Sequence, residues 1–259
     1  MNNSFIYYNK YMLLKYKQIG GDITKQFILL DGTSSVGKTT LCNFFKTLKY
    51  TCLISDDYVS IVNDMMANYY KTISNNYFPK NKRYDIEDNI FSELIINDAI
   101  KAKKAIIDSV VQSNLIKKFT EFDLRNKLFI IVVYASLPNL VRNLQERRIN
   151  GDRRALMPFY QFQERYIMTN DNDINKIDRI NRQEFKQLLK ENLKFEFESE
   201  DKLNIFVINM FNNMNINDDD FHWIKLKENY ECDYLLNATD KTKDVINTEL
   251  NKLFNNILN

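Results

Sequence analysis

The 259-residue chain has little of the chemistry on which many enzymes and metal sites depend, with one histidine and three cysteines. Cys42, Cys52 and Cys232 form no C-x-x-C pair, which argues against a structural zinc site. The lone histidine argues against Ser-His-Asp and Cys-His catalysis. Scattered cysteines with mostly apolar neighbours predict thiols in a reducing, cytoplasmic compartment.

The chain also lacks an apolar run near the roughly 20 residues that span a bilayer, so we expect no membrane partner. Its net charge of +2 gives no strong field for nucleic acid, and we predict no nucleic-acid partner. With 44% hydrophobic and 27% charged residues, the composition is that of an ordinary globular chain with a sizeable core.

Apolar, strand-like runs alternate with amphipathic, helix-like runs along the chain, which predicts a parallel sheet covered on both faces. The predicted strands are Phe27–Leu30, Thr51–Ser55, Ala105–Asp108, Leu128–Tyr134 and Cys232–Leu236. The predicted helices include Thr39–Leu48, Ile86–Lys103, Pro138–Arg148 and Asp240–Leu258. We therefore expect an α/β fold with a doubly wound, parallel five-stranded sheet.

The domain organisation is predicted to be one domain with additions. Residues 1–25 form an N-terminal extension, and residues 26–259 form the domain itself. Within it, the aromatic-rich segment 58–89 is predicted to cover an acceptor, and 158–221 is predicted to be a mostly helical insertion or extended lid. Leu203–Met210 fits either a strand or part of a helix. Further helices are expected at Gln161–Met168 and Asn175–Leu193.

The segment Gly32-Thr-Ser-Ser-Val-Gly37-Lys38-Thr39 satisfies the P-loop pattern G-x-x-x-x-G-K-[ST] at every fixed position, which predicts a P-loop NTPase or kinase. Its glycines let successive N–H groups converge on phosphate oxygens, and the following helix adds its positive N-terminal end. Lys38 is predicted to reach the β- and γ-phosphates and Thr39 to ligate Mg²⁺, so ATP and Mg²⁺ are the expected cofactors. The predicted nucleotide-binding residues are Gly32, Thr33, Ser34, Ser35, Val36, Gly37, Lys38, Thr39 and Thr40.

Carboxylates stand at the carboxyl ends of three predicted strands, where ligands bind in open parallel sheets. Asp108, which ends the run Ala-Ile-Ile-Asp, is a candidate Mg²⁺ ligand. Asp57 is the candidate general base for a substrate hydroxyl, and Asp56 is the alternative base. Loop or helix-cap chemistry is the competing interpretation of each carboxylate, and it is favoured for Asp31.

A basic cluster follows the fourth predicted strand. Arg142, Arg147 and Arg148 lie on the polar face of the predicted helix, and Arg153 follows within Asn-Gly-Asp-Arg-Arg. Arginines on a segment over the phosphates can neutralise the charge that spreads in a phosphoryl-transfer transition state. A solvated basic helix end that interacts with its own dipole is the alternative interpretation.

Together these segments resemble the chloramphenicol phosphotransferase-like family of P-loop kinases. The resemblance rests on the P-loop, on Ile-Ser-Asp-Asp-Tyr, on Ala-Ile-Ile-Asp-Ser, on Gly-Asp-Arg after the arginine helix and on Tyr-Glu-Cys-Asp-Tyr near the end. It implies ATP-dependent phosphorylation of a small-molecule hydroxyl, with Asp57 as the base. It also implies that Arg147, Arg148 and Arg153 are lid residues. Segments 58–89 and 158–221 depart from the family, so the antibiotic itself is not implied.

The sequence thus predicts a phosphotransferase that moves the γ-phosphoryl group of ATP to a small-molecule acceptor, with Lys38 among its catalytic residues. A nucleoside or nucleotide kinase is one alternative, and an NTP-binding switch or interaction protein without turnover is another. Asn237-Ala-Thr-Asp240 superficially resembles the guanine-reading pattern of GTPases, but none of the five glycines completes the Asp-x-x-Gly that a GTPase would also show. Ala238 and Thr239 are instead expected to lie against adenine.

Overall fold

The computed structural model describes residues 26–72, 80–109, 112–136, 139–143, 157–169, 176–181, 186–187, 189–190, 193, 197–213 and 221–258. Of these, 26–31 and 38–131 form one compact unit, the N-terminal unit, and 32–37 and 132–258 form the C-terminal unit. The predicted extension, 1–25, lies outside the described residues. No helix in the described ranges is long and apolar enough to cross a membrane.

The described part of the chain contains eight strands and seven α-helices, numbered here in chain order. The strands are β1 (Phe27–Asp31), β2 (Thr51–Ile54), β3 (Ala105–Asp108), β4 (Leu128–Tyr134), β5 (Tyr166–Thr169), β6 (Lys176–Asn181), β7 (Phe221–Leu226) and β8 (Tyr234–Asn237). The α-helices are α1 (Lys38–Thr47), α2 (Ser55–Thr72), α3 (Lys80–Ala102), α4 (Gln112–Glu121), α5 (Met157–Arg165), α6 (Glu200–Asn213) and α7 (Lys243–Leu258). A 3₁₀-helix spans Arg125–Lys127, and a further helical stretch lies at 139–143.

The main sheet has five parallel strands in the order β2-β3-β1-β4-β8, with helices flanking it. The predicted fold class is therefore confirmed, and β3 and β4 have the predicted bounds. Every residue of β4 is buried, which explains its uninterrupted apolar sequence. The last strand begins at Tyr234, two residues later than predicted, and its buried residues are Tyr234, Leu235 and Leu236.

Within the N-terminal unit, β1 and β2 each pair with β3 in parallel register. Leu30 and Ile54 both stand opposite Asp108, so the three strands end at the same level. The next residue after Ile54 is Ser55, which begins α2, so Asp56 and Asp57 lie in the first turn of that helix. Acidic residues are favoured there by the helix dipole. The register thus collects carboxylates at one edge of these strands.

A disulfide bond joins Cys42 of α1 to Cys52 of β2, with the two Cα atoms 5.6 Å apart. The prediction of free thiols is therefore wrong for these two cysteines, while Cys232 takes no part in the bond. The pairing could not be read from the sequence because it depends on how α1 packs beside β2. The expectation of a reducing, cytoplasmic compartment stays a prediction.

The C-terminal unit contains a second sheet, which is antiparallel and has the order β5-β7-β6. The predicted helix Gln161–Met168 is wrong beyond Arg165, where β5 begins, and the predicted helix Asn175–Leu193 is wrong over Lys176–Asn181. The expectation of a mostly helical insertion at 158–221 missed this sheet. Short runs that contain isoleucine and tyrosine are compatible with a helix or a strand, and these two runs form strands because they pair with β7.

Leu203–Met210, for which the sequence left strand and helix open, lies in α6. The buried residues of α6 recur at the spacing of a helix that packs along one face, and they are Leu203, Val207, Met210 and Phe211. The last helix begins at Lys243 rather than at Asp240. Its start is marked by Thr242, whose Oγ1 accepts a 3.4 Å hydrogen bond from the Val245 N–H in the manner of an N-cap.

Candidate functional site

The phosphate loop, residues 32–39, connects β1 to the first turn of α1. Gly32 and Gly37 have φ angles of +146° and +94°, which residues with a side chain rarely adopt. A Cβ atom on Gly32 would lie 2.4 Å from the Val133 carbonyl oxygen, so only glycine fits there. Ser35 has a left-handed φ of +71° despite its side chain. The loop therefore has the curled backbone that the predicted binding of phosphates needs.

The side chains of the phosphate loop differ in their exposure. Thr33 and Val36 are buried, Ser34 and Ser35 are half-buried, and Thr40 is exposed on α1. The buried side chains of Thr33 and Val36 pack the loop against the protein, and the backbone N–H groups of the loop remain the candidates for phosphate binding. The binding roles of these residues stay predictions.

Two side-chain amides contact the middle of the phosphate loop within the C-terminal unit. The Ser34 N–H donates a 2.6 Å hydrogen bond to Gln161 Oε1, and Asn143 Nδ2 donates a 2.9 Å hydrogen bond to the Ser35 carbonyl. Sequence reasoning missed both Gln161 and Asn143, because neither belongs to a recognisable motif and each lies more than a hundred positions from its partner.

The end of the phosphate loop meets the end of β3 within the N-terminal unit. Thr39 Oγ1 donates a 2.6 Å hydrogen bond to Asp108 Oδ2, and Lys38 Nζ lies 3.9 Å from Asp108 Oδ1. Lys38 and Asp108 are each only 6% exposed. The structure thus brings together the three side chains that the sequence proposed for phosphate and Mg²⁺ binding.

Opposing effects act on the Asp108 carboxyl. Burial raises its pKa above the ordinary value, while the Lys38 charge and the Thr39 hydrogen bond lower it. The negative charge of Asp56 acts in the same direction as burial. A partly desolvated carboxylate of this kind gains more from a nearby divalent cation than an exposed one does.

The other strand-end carboxylates lie in different environments. Asp31 is fully buried at the end of β1, whereas Asp56 and Asp57 are exposed in the first turn of α2. Burial raises the pKa of Asp108 most, and the charge of Asp56 adds a smaller effect in the same direction. Burial and then Asp98 raise the pKa of Tyr58, and the charge of Asp57 contributes least. Both carboxylates are accessible, and the choice of base between Asp56 and Asp57 stays open.

The predicted acceptor-covering segment 58–89 is described in α2 and in the beginning of α3. Tyr58 is buried, donates a 3.1 Å hydrogen bond from its hydroxyl to Asp98 Oδ2 and packs edge-on against Phe91. These contacts fix the first turn of α2 against α3. Contact with an acceptor stays a prediction.

The predicted lid arginines, Arg147, Arg148 and Arg153, lie outside the described residues, and their role stays a prediction. Of the predicted arginine helix, 139–143 is helical, and Arg142 forms a 2.6 Å ion pair with Asp240. Both of these side chains are more than half exposed, so the pair adds little to stability.

The loop after β8 is held to the end of β4 within the C-terminal unit. The Ala238 N–H donates a 2.7 Å hydrogen bond to the Tyr134 carbonyl, and the Ser136 N–H donates a 2.8 Å hydrogen bond to Thr239 Oγ1. These bonds order the loop that the sequence assigned to adenine. The contact with adenine itself stays a prediction.

Across the described ranges, no three His, Cys, Asp or Glu side chains form a group that could hold a metal ion. Mg²⁺ in nucleotide sites commonly takes only one or two protein ligands and fills its other positions with water and phosphate oxygens. The hydroxyl of Thr39 and the carboxylate of Asp108 are hard oxygen donors that lie side by side. They therefore fit a Mg²⁺ ion that arrives with a nucleotide.

A protein-family model described as an AAA domain matches residues 28–167, which is more than half of the chain. The match includes most of β1, the phosphate loop, the first turn of α2 with Asp56 and Asp57, and the end of β3 with Asp108. No curated protein matches the chain. A similar solved structure is that of the PezAT chromosomal toxin-antitoxin system of Streptococcus pneumoniae, with 16% identity and a TM-score of 0.30. That similarity covers 84% of this chain and 98% of the other.

Proposed function

The chain belongs to the AAA domain family of P-loop nucleotide-binding enzymes, and on that basis we propose that it is an ATP- and Mg²⁺-dependent phosphotransferase. Its proposed acceptor is a hydroxyl group of a small molecule. The observation that carries the proposal is the contact of Lys38 and Thr39 with Asp108, directly after an intact phosphate loop. The resemblance to the chloramphenicol phosphotransferase-like family supports the choice of a hydroxyl acceptor.

In this proposal, the amides of the phosphate loop and the ammonium group of Lys38 hold the nucleotide phosphates. Thr39 and Asp108 hold Mg²⁺, which when bound neutralises phosphate charge. The burial of Lys38 and Asp108 supports these roles, because charges in such surroundings interact with a phosphate more strongly than charges in water do.

The transfer step needs a base for the acceptor hydroxyl. Asp57 is proposed to take the hydroxyl proton while the acceptor oxygen bonds to the γ-phosphorus. The bond between that phosphorus and the β–γ bridging oxygen breaks, and ADP leaves. The motif Ile-Ser-Asp-Asp-Tyr supports Asp57, and Asp56, its exposed neighbour in the first turn of α2, is the alternative base.

Arg147, Arg148 and Arg153 are proposed to stabilise negative charge on the transferring phosphoryl group. Their support is the sequence pattern after β4, which combines an arginine-rich helical run with Gly-Asp-Arg. Arg142 is not part of this set, because the resemblance implies a lid role only for these three arginines.

The proposal is tested by measuring ADP release from ATP·Mg²⁺ with a panel of hydroxyl acceptors: nucleosides, nucleotides, sugars, aminoglycosides and phenicols. Asp57→Asn and Asp56→Asn form a matched pair, because each neutralises one of two neighbouring carboxylates without changing its size. The expected result is stimulation by one acceptor class that is lost in one of the two variants.

Stimulation by a nucleoside or a nucleotide would select the nucleoside or nucleotide kinase alternative. ATP binding without stimulation by any acceptor would contradict transfer to a small-molecule hydroxyl. It would instead support a nucleotide-gated switch or interaction protein.

A further inference from the structure

We propose that Gln161 and Asn143 are positioning residues of the phosphate loop, which hold Ser34 and Ser35 in the conformation that phosphate binding requires. This inference rests on the proposed function. It starts from the two hydrogen bonds that these side chains make, at 2.6 Å to the Ser34 N–H and at 2.9 Å to the Ser35 carbonyl. All four residues belong to the C-terminal unit.

The two bonds restrain a strained piece of backbone from both ends. Between the Ser34 nitrogen and the Ser35 carbonyl lies the φ angle of +71° at Ser35. A left-handed conformation is unfavourable for a residue with a side chain, and it persists when its surroundings hold it. Gln161 and Asn143 provide such surroundings, since one amide accepts from the first residue and the other donates to the second.

The bond from Asn143 also sets the direction of the next amide. In a planar trans peptide, the carbonyl and the following N–H point in opposite directions. Because the Ser35 carbonyl is held toward Asn143, the Val36 N–H is turned away from Asn143. The amides from Val36 onward lead into the first turn of α1, where a phosphate-binding loop needs its donors to converge.

Gln161 is itself held rigidly. It is 8% exposed, and its backbone carbonyl accepts a 2.9 Å hydrogen bond from the side chain of Arg165, which is fully buried. The Arg165 guanidinium lies 5.3 Å from the centre of the Tyr230 ring. Lys227 adds a 2.6 Å hydrogen bond from Nζ to the Gln163 carbonyl of α5. The oxygen that meets Ser34 is therefore carried by a well-anchored helix.

The helical stretch that carries Asn143 contacts the loop after β8 through two neighbouring side chains. One turn before it, Asn139 Nδ2 donates a 3.1 Å hydrogen bond to Asp240 Oδ1, the same atom that Arg142 contacts. Asn143 Nδ2 also lies 3.5 Å from Asn139 Oδ1. The helical stretch that carries Asn143 is thereby tied to the chain segment that follows the last strand.

The test compares the affinities of wild-type protein, Gln161→Ala and Asn143→Ala for ATP·Mg²⁺, ADP and adenosine by calorimetry. Gln163→Ala is the matched control, because it removes a side-chain amide from the same helix as Gln161 without touching the loop. Loss of one hydrogen bond, about 1 kcal/mol, predicts a roughly fivefold to tenfold weaker Kd for ATP and ADP in each test variant. Adenosine, which carries no phosphate, should bind within about twofold of wild type.

A second readout reports the positioning directly. Amide hydrogen exchange at Ser34 in the nucleotide-free protein should become faster in Gln161→Ala and stay slow in Gln163→Ala. Gln161→Leu, which removes the acceptor oxygen at similar volume, replaces Gln161→Ala if the smaller side chain prevents folding.

Wild-type protein that binds no ATP would refute the proposed function, whatever the variants do. If wild type binds ATP and the test variants bind it equally well, the positioning roles are wrong. Tighter binding by Gln161→Ala would also overturn the inference, because Gln161 would then occupy a donor that the phosphates need. Equal losses for adenosine and ADP would indicate general damage to the fold and contradict a role specific to phosphates.

Discussion

Thr39, in the first turn of α1, donates a 2.6 Å hydrogen bond to Asp108, the last residue of β3, although 69 positions separate them in the chain. The parallel pairing of β1 with β3 makes this contact possible, since Leu30 and Asp108 stand opposite each other just before the phosphate loop begins. The phosphate loop is recognisable from one stretch of sequence, but its contact with the carboxylate of Asp108 depends on the pairing of strands in the sheet. The proposed function follows from this contact.

Lys38→Ala is expected to lower nucleotide turnover at least about a hundredfold while the protein stays folded. The substitution removes the ammonium group of Lys38, which lies beside Asp108. In the phosphate loop pattern, this lysine is the residue that contacts the phosphates. Turnover is followed as ADP release, and folding is checked by circular dichroism. Lys46→Ala, an exposed lysine in the last turn of the same helix, is the control and should keep its activity. Equal activity of the two variants would remove Lys38 from the mechanism.

Asp57→Asn is expected to leave ATP affinity within about threefold of wild type and to abolish phosphoryl transfer. The carboxylate lies exposed in the first turn of α2, and asparagine keeps its size while losing its basicity. ATP binding is measured by calorimetry and transfer by ADP release. A loss of ATP affinity of tenfold or more would move Asp57 to the metal site. Loss of transfer in Asp56→Asn alone would make Asp56 the base.

Replacing both disulfide cysteines, as Cys42→Ala with Cys52→Ala, is expected to lower the free energy of unfolding by about 2–3 kcal/mol. The bond closes a short loop, because its cysteines are ten positions apart, and so it restricts the unfolded chain. Urea unfolding with and without reductant checks this. Reductant should shift the wild-type midpoint and leave the double variant unchanged. An unchanged urea midpoint of the wild-type protein in the presence of reductant would contradict the disulfide bond.

Stability is expected to fall in alkaline solution through Tyr234. Burial raises the pKa of its hydroxyl well above the ordinary value, and the charge and hydrogen bond of Glu249 act in the same direction. The folded protein therefore keeps this proton after the unfolded chain has lost it. The stabilisation is complete below about pH 10, the pKa in the unfolded chain, and is lost as the pH rises toward the folded pKa.

Tyr234→Phe should be less stable than wild type by about 1 kcal/mol at pH 7, since it loses one hydrogen bond. Above pH 10, its free energy of unfolding should fall less steeply than that of wild type. Urea unfolding between pH 7 and pH 11 measures both effects. Parallel pH profiles for the two proteins would show that Tyr234 does not carry the alkaline dependence.

The central strands of the main sheet were predictable because β1, β3 and β4 are buried along their whole length and therefore read as nearly continuous apolar runs. Ala105–Asp108 and Leu128–Tyr134 have such sequences and the predicted bounds. The phosphate loop was predictable for a different reason. Its backbone conformation requires glycines at fixed positions, and binding of phosphate and Mg²⁺ requires Lys38 and Thr39. In both cases one local stretch contains the whole signal.

The features that sequence analysis missed depend on partners far away in the chain. Lys176–Asn181 is a strand because it pairs with β7, and its own residues favour no single element. Gln161 and Asn143 are ordinary amides until folding places them 2.6 Å and 2.9 Å from the phosphate loop. The disulfide likewise appears only when α1 lies beside β2.

Phosphotransferase activity is measured most plainly by following the γ-phosphoryl group itself. ATP labelled at the γ-phosphorus is incubated with the protein, Mg²⁺ and the pooled hydroxyl acceptors, and the labelled products are separated and counted. The label is expected to move to an acceptor as a phosphate ester, in an amount equal to the ADP formed. Label that stays in ATP, or that appears only as inorganic phosphate, would contradict the proposal that this protein is a phosphotransferase.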